Sequence, residues 1–487
     1  MRVLIASAEA VPFAKVGGLA DVVGSLPAAL RSNGVDARVI LPGYGFINHH
    51  QHHISFAFSF PFYHQKGVTD VRVYTCTHND VPFYLIQGYP YIGGERSVYM
   101  DWDWDARRFI WFNQVAMATI YELSQREGWL PDVVNVNDWH TALLPFLIGI
   151  NRWKQEWRSI ATVTTVHNIA YMGSYMQPFL YEAGIPARDW DLIHRFGLHD
   201  NMLGIGLATA DKINTVSPRY ALEIQYRWAG YELADLMHYR RWDLVGILNG
   251  IDVELWNPAT DPHLVQNFDA HNFAQQRAAN KRALQEQLYL PVREDVPVIG
   301  VVSRLASQKG FDFAFPGLRR VLAQHDAQFV LLGTGEPAIE QAARRLADDF
   351  PQQVRVYLDY NGMLAQRIYG GSDMFLMPSH FEPCGIGQML AMRYGSLPVV
   401  RETGGLADTV QNYDNGPADH GTGFVFQWET SDAVSGTLHW AIRTYHERPD
   451  AWRRMQHRAM TTDFSWHTSA RQYVDLYEQA VRKIRGA

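Results

Sequence analysis

Cysteine is nearly absent: the 487 residues hold two, Cys76 and Cys384. A secreted chain of this size commonly carries several disulfides, so a reducing compartment is the expected setting. Long apolar runs are missing as well. None approaches the ~20 residues needed to cross a bilayer. The opening MRVLIASAEA lacks the charged segment, apolar core and cleavage site of a secretory leader. Basic charge is not in excess, since 43 Lys and Arg stand against 50 Asp and Glu, a net charge of −7. Such a surface gives no electrostatic reason to bind nucleic acid or an anionic membrane, although a local basic pocket can still hold a small anion. The expectation is a cytoplasmic protein without nucleic-acid or membrane partners, or one of the plastid stroma if a transit peptide was removed. Low-complexity sequence is confined to HHQHH at 49–53. It reads as a solvated loop, because no Cys or carboxylate cluster completes a metal site there.

What is present points to a packed globular protein. Hydrophobic residues make up 47% and charged residues 19%, and the length favours two or three domains. Short apolar runs alternate with helical patterns. The first series contains Val3–Ala8, ARVILP (37–42), VPFYLI (81–86), DVVNV (132–136), IATVTTVH (160–167) and ADKINTVS (210–217). ARRFIWFNQVAMATIYELSQ carries apolar residues every three or four positions, as an amphipathic helix does. GILNGIDVELWNPATDP (246–262) breaks the rhythm with Gly, Asn and Pro. A second series begins at VPVIGVVSRL (296–305) and runs through QFVLLGTGEP, VRVYL, DMFLMPS, LPVVRETGG and GTGFVF. Two such series predict two α/β domains, each a doubly wound parallel sheet. The predicted divisions are 1–248, 249–463 and a closing helix in 464–487. That helix carries Ala470, Tyr473, Leu476, Tyr477, Ala480, Val481 and Ile484 on one stripe.

Ligands of open parallel sheets bind at the carboxyl ends of the strands. The stretch AKVGGLADVVGSLP (14–27) lies at such an end. Gly17 and Gly18 would let backbone N–H groups approach an anion at a helix start, and Lys15 adds a full positive charge. GGLAD recurs at 404–408, again after a strand. Either copy alone reads as readily as an ordinary tight turn, and the lysine and the duplication favour phosphate or sugar binding. In VVSRLASQKG, Arg304 and Lys309 could flank a diphosphate or be solvated charges. In PSHFEPCGIGQMLAMRYG, Glu382 would stand at a strand end with the N–H groups of Gly385, Ile386 and Gly387 behind it, or else cap the helix that follows. Cys384 beside them reads as a small packing residue rather than a reactive thiol. NVNDWHTALLP and TVHNIAYMG bring Asp138, His140 and His167 to one edge, suited to sugar hydroxyls. DWDWD (101–105) is either a divalent-metal clamp or a set of carboxylates stabilising a helix N-terminus.

Together these motifs resemble those of bacterial glycogen synthases and plant starch synthases. The resemblance runs from KVGGLADVVGSLP through NDWHTALLP, TVHNIAYMG, LNGIDVELWNPATD and VVSRLASQKG to FEPCGIGQMLAMRYGSLPVVRETGGLADTV. It implies a GT-B-type architecture of two Rossmann-like domains facing a deep cleft, with the last helix crossing back to the first domain. It implies retaining transfer of glucose from ADP-glucose to the non-reducing end of an α-1,4-glucan, with no metal and no cofactor. By this resemblance, Lys15 and Gly18 lie at the donor phosphates and glucose, Arg304 and Lys309 bind the diphosphate, and Glu382 lies by the transferred glucose. Asp138 and His167 belong to the catalytic cleft. Asp21, Asn249 and Tyr360 match donor-binding positions, with Tyr360 as the adenine-stacking ring. Thr403, Gly404 and Gly405 match the loop that holds sugar and phosphate. One departure stands out: many members read Gly-Leu-Thr-Gln where this chain has Gly385-Ile386-Gly387-Gln388. A UDP-glucose-using retaining enzyme of sucrose synthase type and a catalytically silent glucan-binding scaffold are the alternatives.

Overall fold

The computed structural model describes residues 1–186, 190–416 and 420–486. The chain forms two compact units. One comprises Met1–Gly250 and Trp466–Ala487, the other Ile251–Ser465. Each is built on its own sheet with helices packed against it.

Among its described residues the first unit holds nine strands: β1 (Arg2–Ala6), β2 (Asp36–Pro42), β3 (Ser55–His64), β4 (Gly67–His78), β5 (Val81–Gln87), β6 (Val133–Asn137), β7 (Ala161–Val166), β8 (Lys212–Thr215) and β9 (Leu244–Gly246). Their spatial order is β3-β4-β5-β2-β1-β6-β7-β8-β9. β1 lies at the centre, pairing in parallel with β2 through Val3↔Ala37 and with β6 through Val3↔Val133. Side chains of a strand alternate between faces. Val3 and Ile5 accordingly enter one core with the helix Gly18–Ser32 and the helix Trp466–Arg485. Leu4 and Ala6 enter a second core with the helix Trp102–Glu127. Burial on both faces is why β1 is a continuous apolar run. In the last helix Ala470, Tyr473, Leu476, Tyr477 and Ala480 are buried, while Val481 and Ile484 pack at the margin. The Tyr477 hydroxyl donates to Asn135 Oδ1 of β6 at 3.0 Å, which ties the end of the chain to the centre of this sheet.

The sheet is not purely parallel. β3 pairs antiparallel with β4, and β4 antiparallel with β5. A strict strand–helix alternation passes over this hairpin. Its sign in the sequence is the period-two spacing of Phe56, Phe58, Phe60 and Phe62, of which Phe58 and Phe60 are buried and Phe56 is exposed.

The second unit holds β10 (Val298–Val302), β11 (Gln328–Leu332), β12 (Val354–Tyr357), β13 (Met374–Met377), β14 (Leu397–Arg401) and β15 (Phe424–Phe426). They lie in the order β12-β11-β10-β13-β14-β15, all parallel. Ile299, Phe329, Met374, Val399 and Phe424 contribute to one core with the helices Phe311–Gln324, Ser431–Glu447 and Pro449–Thr461. Among the described residues no helix is long and apolar enough to cross a membrane.

Candidate functional site

In a doubly wound sheet the crevice for a ligand opens where the strand order reverses. In the first unit this falls between β1 and β6, and in the second between β10 and β13. The loops leaving these four strands carry most of the residues singled out in the sequence.

At the β1 end the arrangement centres on Glu9, a residue that sequence reading passed over. It is 3% exposed. Its Oε2 accepts from the backbone N–H groups of Val16 (2.7 Å) and Gly17 (2.8 Å), and its Oε1 from the Tyr99 hydroxyl at 2.5 Å. The Gly17 N–H, expected to be open to an anion, is therefore occupied by an internal carboxylate. The helix begins one residue later, at Gly18. A Cβ added at Gly17 or Gly18 would meet nothing within 4 Å, so no protein neighbour demands glycine at either position. Lys15 Nζ donates to Asp21 Oδ1 at 2.6 Å; this exposed pair joins two residues assigned to the donor.

At the β6 end, Asp138 takes the left-handed backbone conformation, φ 54°. Such a conformation is costly for a non-glycine residue, though Asp and Asn tolerate it better than most. It is buried, and Oδ1 accepts from the His167 backbone N–H at 2.7 Å. Burial, opposed by hydrogen bonds from the His167 and Asn168 backbones, raises the Asp138 carboxyl to about 7. His167 follows β7, and its Nε2 contacts Asn137 Oδ1 at 2.9 Å. Burial lowers the His167 imidazole to about 3. His140 is lowered to about 3 by burial first and then by Arg108 and His167. It packs between the Tyr99, Phe109 and Trp139 rings. The structure thus brings Asp138, His140 and His167 together as one buried carboxyl and two neutral imidazoles. Asn249 lies at the end of this unit, 7% exposed, with its Oδ1 buried and without a hydrogen-bond partner among the described residues.

At the second switch point Lys309 and Glu382 meet. Lys309 Nζ lies 2.6 Å from Glu382 Oε2, and Ser379 Oγ donates to the same oxygen at 2.9 Å. Glu382 is buried. It does not cap the helix Gly387–Arg393, whose N-cap is Ile386 without a side-chain cap. Arg304, just beyond β10, is exposed. Tyr360 is 86% exposed beyond β12, next to Asn361, the N-cap of the helix Gly362–Gly371.

The second GGLAD has a different local reason from the first. The Gly405 N–H donates to the Glu382 and Pro383 carbonyls at 3.0 and 3.2 Å. A Cβ on Gly405 would lie 1.9 Å from the Cys384 oxygen, and one on Gly404 2.0 Å from the Glu382 oxygen. These glycines let the β14 loop press against the loop carrying Glu382. Buried Thr403 precedes them as the N-cap of the helix Gly404–Thr409. Gly385 has φ 72°. At Gly387 a Cβ would sit 3.3 Å from the Phe375 ring and 3.4 Å from the Met377 sulfur, a close fit that needs a shift of only a few tenths of an ångström. Cys384 is 5% exposed, as expected of a packing residue.

The remaining motifs have structural roles. Asp101 caps the helix Trp102–Glu127 by accepting from the Trp104 N–H at 3.0 Å. Asp105 pairs with the buried Arg108 at 2.6 Å. His49 and His52 contact the Tyr74 and Phe13 rings. Among the described residues no group of three or more His, Cys, Asp or Glu side chains is placed to hold a metal ion.

Comparison with known proteins shows the family. The family described as starch synthase catalytic domain matches residues 2–239, and glycosyl transferases group 1 matches residues 296–439. A glycogen synthase of Streptococcus equi subsp. equi (strain 4047) is 42% identical over 98% of this chain and 99% of its own length. One from Thermotoga maritima is 40% identical over 99% and 100%. The catalytic domain of starch synthase IV from Arabidopsis thaliana, solved bound to ADP and acarbose, is 33% identical with TM-score 0.87, covering 99% of both chains. Sucrose-phosphate synthase from Thermosynechococcus elongatus, at 16% identity and TM-score 0.60 over 98% of each chain, shares the fold alone. The chain belongs to the glycogen and starch synthase family of GT-B glycosyltransferases.

Proposed function

We propose that the chain transfers glucose from ADP-glucose to the non-reducing end of an α-1,4-glucan with retention at the anomeric carbon. The observation that carries this reading is the pairing of half-buried Lys309 with buried Glu382 at the switch point of the second unit, where the loop after β10 also carries the exposed Arg304. Breaking the glucosyl–phosphate bond puts negative charge on the departing diphosphate. Fixed cations stabilise such charge without reorganising, commonly the largest catalytic contribution. Lys309 and Arg304 take that role, Arg by its planar fork and Lys as a point charge. Glu382, held by Lys309 and Ser379 through Oε2, turns its other oxygen to a glucose hydroxyl. Tyr360 stacks on adenine. In the first unit Lys15, Gly18 and Asp21 serve the donor, as does the unpaired Oδ1 of Asn249. Asp138 and His167 serve the reacting sugars.

The step is a front-face displacement. The C1–O bond to the phosphate breaks, a bond forms from C1 to the acceptor oxygen, and the acceptor's hydroxyl proton passes to the leaving phosphate. No carboxylate is assigned as a covalent nucleophile. Two cysteines in 487 residues, both buried, support a cytoplasmic setting. Incubation with glycogen and labelled ADP-glucose or UDP-glucose tests the reading: label enters polymer from ADP-glucose. Transfer only from UDP-glucose, transfer from neither, or a glycosyl–enzyme adduct in the mass spectrum would overturn it.

A further inference from the structure

The second unit has a groove away from its switch point, at the carboxyl ends of β14 and β15. Its volume is about 720 Å³, within the range of small-molecule sites. Trp428 stands in it 72% exposed. Gln411, Gln427, Glu402 and Asp432 line the same groove. Gln427 Nε2 donates to Glu402 Oε2 at 2.8 Å, and Asp432 is paired with Arg320. None of the residues lining the groove is basic.

Gly436 is an independent sign. It lines the groove from the interior of the helix Ser431–Glu447. Glycine is the poorest helix former after proline. A Cβ at this position would meet nothing within 4 Å, and the backbone there is ordinary helix, so neither packing nor conformation requires glycine. Gly436 is exposed at the margin of the groove.

We propose that this groove is a docking site for an α-glucan chain, separate from the donor site. A ligand here meets an aromatic face, planar amides and carboxylates, and no free cation. A nucleotide or phosphate would find the Glu402 and Asp432 carboxylates and no Lys or Arg lining the groove, and a wholly apolar ligand would strand the amides. A neutral polyol with one apolar face satisfies both surfaces: the C–H face of a pyranose stacks on Trp428, and its hydroxyls bond Gln411, Gln427 and Glu402. Gly436 leaves room for the next sugar ring. The choice of α-glucan among neutral carbohydrates rests on the function proposed above.

Native electrophoresis through gels containing glycogen reads binding without catalysis. Trp428→Ala is expected to weaken retention roughly tenfold, the scale of one aromatic anchor. Gly436→Gln fills the groove without touching the indole. It is expected to weaken retention similarly while raising the melting temperature, because a good helix former replaces glycine. Both variants should keep the wild-type KM for ADP-glucose and the wild-type kcat on saturating maltotriose, with a raised KM for glycogen. Unchanged retention in both variants overturns the site, as does a wild-type protein that glycogen does not retard. Loss of kcat on maltotriose in proportion to retention also overturns it, since the groove would then belong to the catalytic machinery. If retention falls as expected but wild type transfers no glucose from ADP-glucose, the docking site stands and the functional reading fails.

Discussion

Lys309 and Glu382 lie 73 residues apart in the chain, yet their charged atoms are 2.6 Å apart, half-buried lysine against buried carboxylate, at the strand-order reversal of the second sheet. Each side chain fixes the other. This pairing makes their substitutions interdependent.

Lys309→Ala should lower kcat/KM by about 10²–10³-fold, the scale of one charge-stabilising donor. It should also cost on the order of 3 kcal/mol of stability, because Glu382 is left buried without its counter-charge. Glu382→Ala should cost less stability, since a lysine side chain can extend toward water, while cutting kcat far more than it raises the ADP-glucose KM. The double variant should be more stable than the sum of the two losses predicts. Denaturant melts with steady-state kinetics check this. Additive stability losses would show that the pair is not a unit.

The two GGLAD copies should respond oppositely to alanine. Gly405→Ala forces a Cβ to 1.9 Å from the Cys384 oxygen, so the loop bearing Glu382 must move and the second unit should lose both stability and turnover. Gly18→Ala meets no protein atom within 4 Å and opens a helix. Its melting temperature should stay level or rise slightly, while the ADP-glucose KM rises if a sugar or phosphate uses that space. Thermal melts and donor titrations separate the two cases.

Asp138 and His140 should tilt stability with pH in opposite directions. The Asp138 carboxyl is raised from 3.8 to about 7 by burial. The folded state therefore binds its proton more tightly, and this group withdraws stability as pH rises from about 4 to about 7. Asp138→Asn keeps an acceptor and tolerates the left-handed backbone. It should gain stability over wild type at pH 8 and little at pH 4, while losing activity. His140 is lowered from 6.5 to about 3, chiefly by burial, so it withdraws stability as pH falls through that window. His140→Phe should melt less steeply in acid than wild type. Melting curves from pH 4 to pH 8 read both signs.

Chelation should leave activity intact if Arg304 and Lys309 supply the diphosphate's counter-charge. Asp101→Ala removes a helix cap, with an expected cost of about 1 kcal/mol in stability and no change in the ADP-glucose KM. Activity abolished by EDTA and restored only by added Mg²⁺ or Mn²⁺ would show that the counter-charge is a metal ion.

The sequence by itself determined the local layer of this protein. Apolar runs buried on both faces, such as VLIA and VVNV, announce central strands because both sides of the sheet are covered. The loops after β1, β6, β10, β13 and β14 are legible because glycines and charges cluster at the ends of such runs. The order of motifs along the chain also carried the family. Tertiary structure alone decided which of these loops face one another. Strand order is set by long-range packing, and periodicity does not encode it. The meeting of Lys309 with Glu382 and the strained Asp138 beside His167 follow from which strands flank each switch point. So does the capture of the Val16 and Gly17 N–H groups by Glu9. Glu9 sits in an unremarkable AEA and carries no motif. Its role exists only because the loop after β1 turns back on itself through the Ala10–Ala14 bridge, placing a carboxylate where two backbone donors and the Tyr99 hydroxyl converge. The antiparallel β3–β4 hairpin was decided the same way: its alternating phenylalanines specify strands, but only the open edge at β5 determines where those strands add.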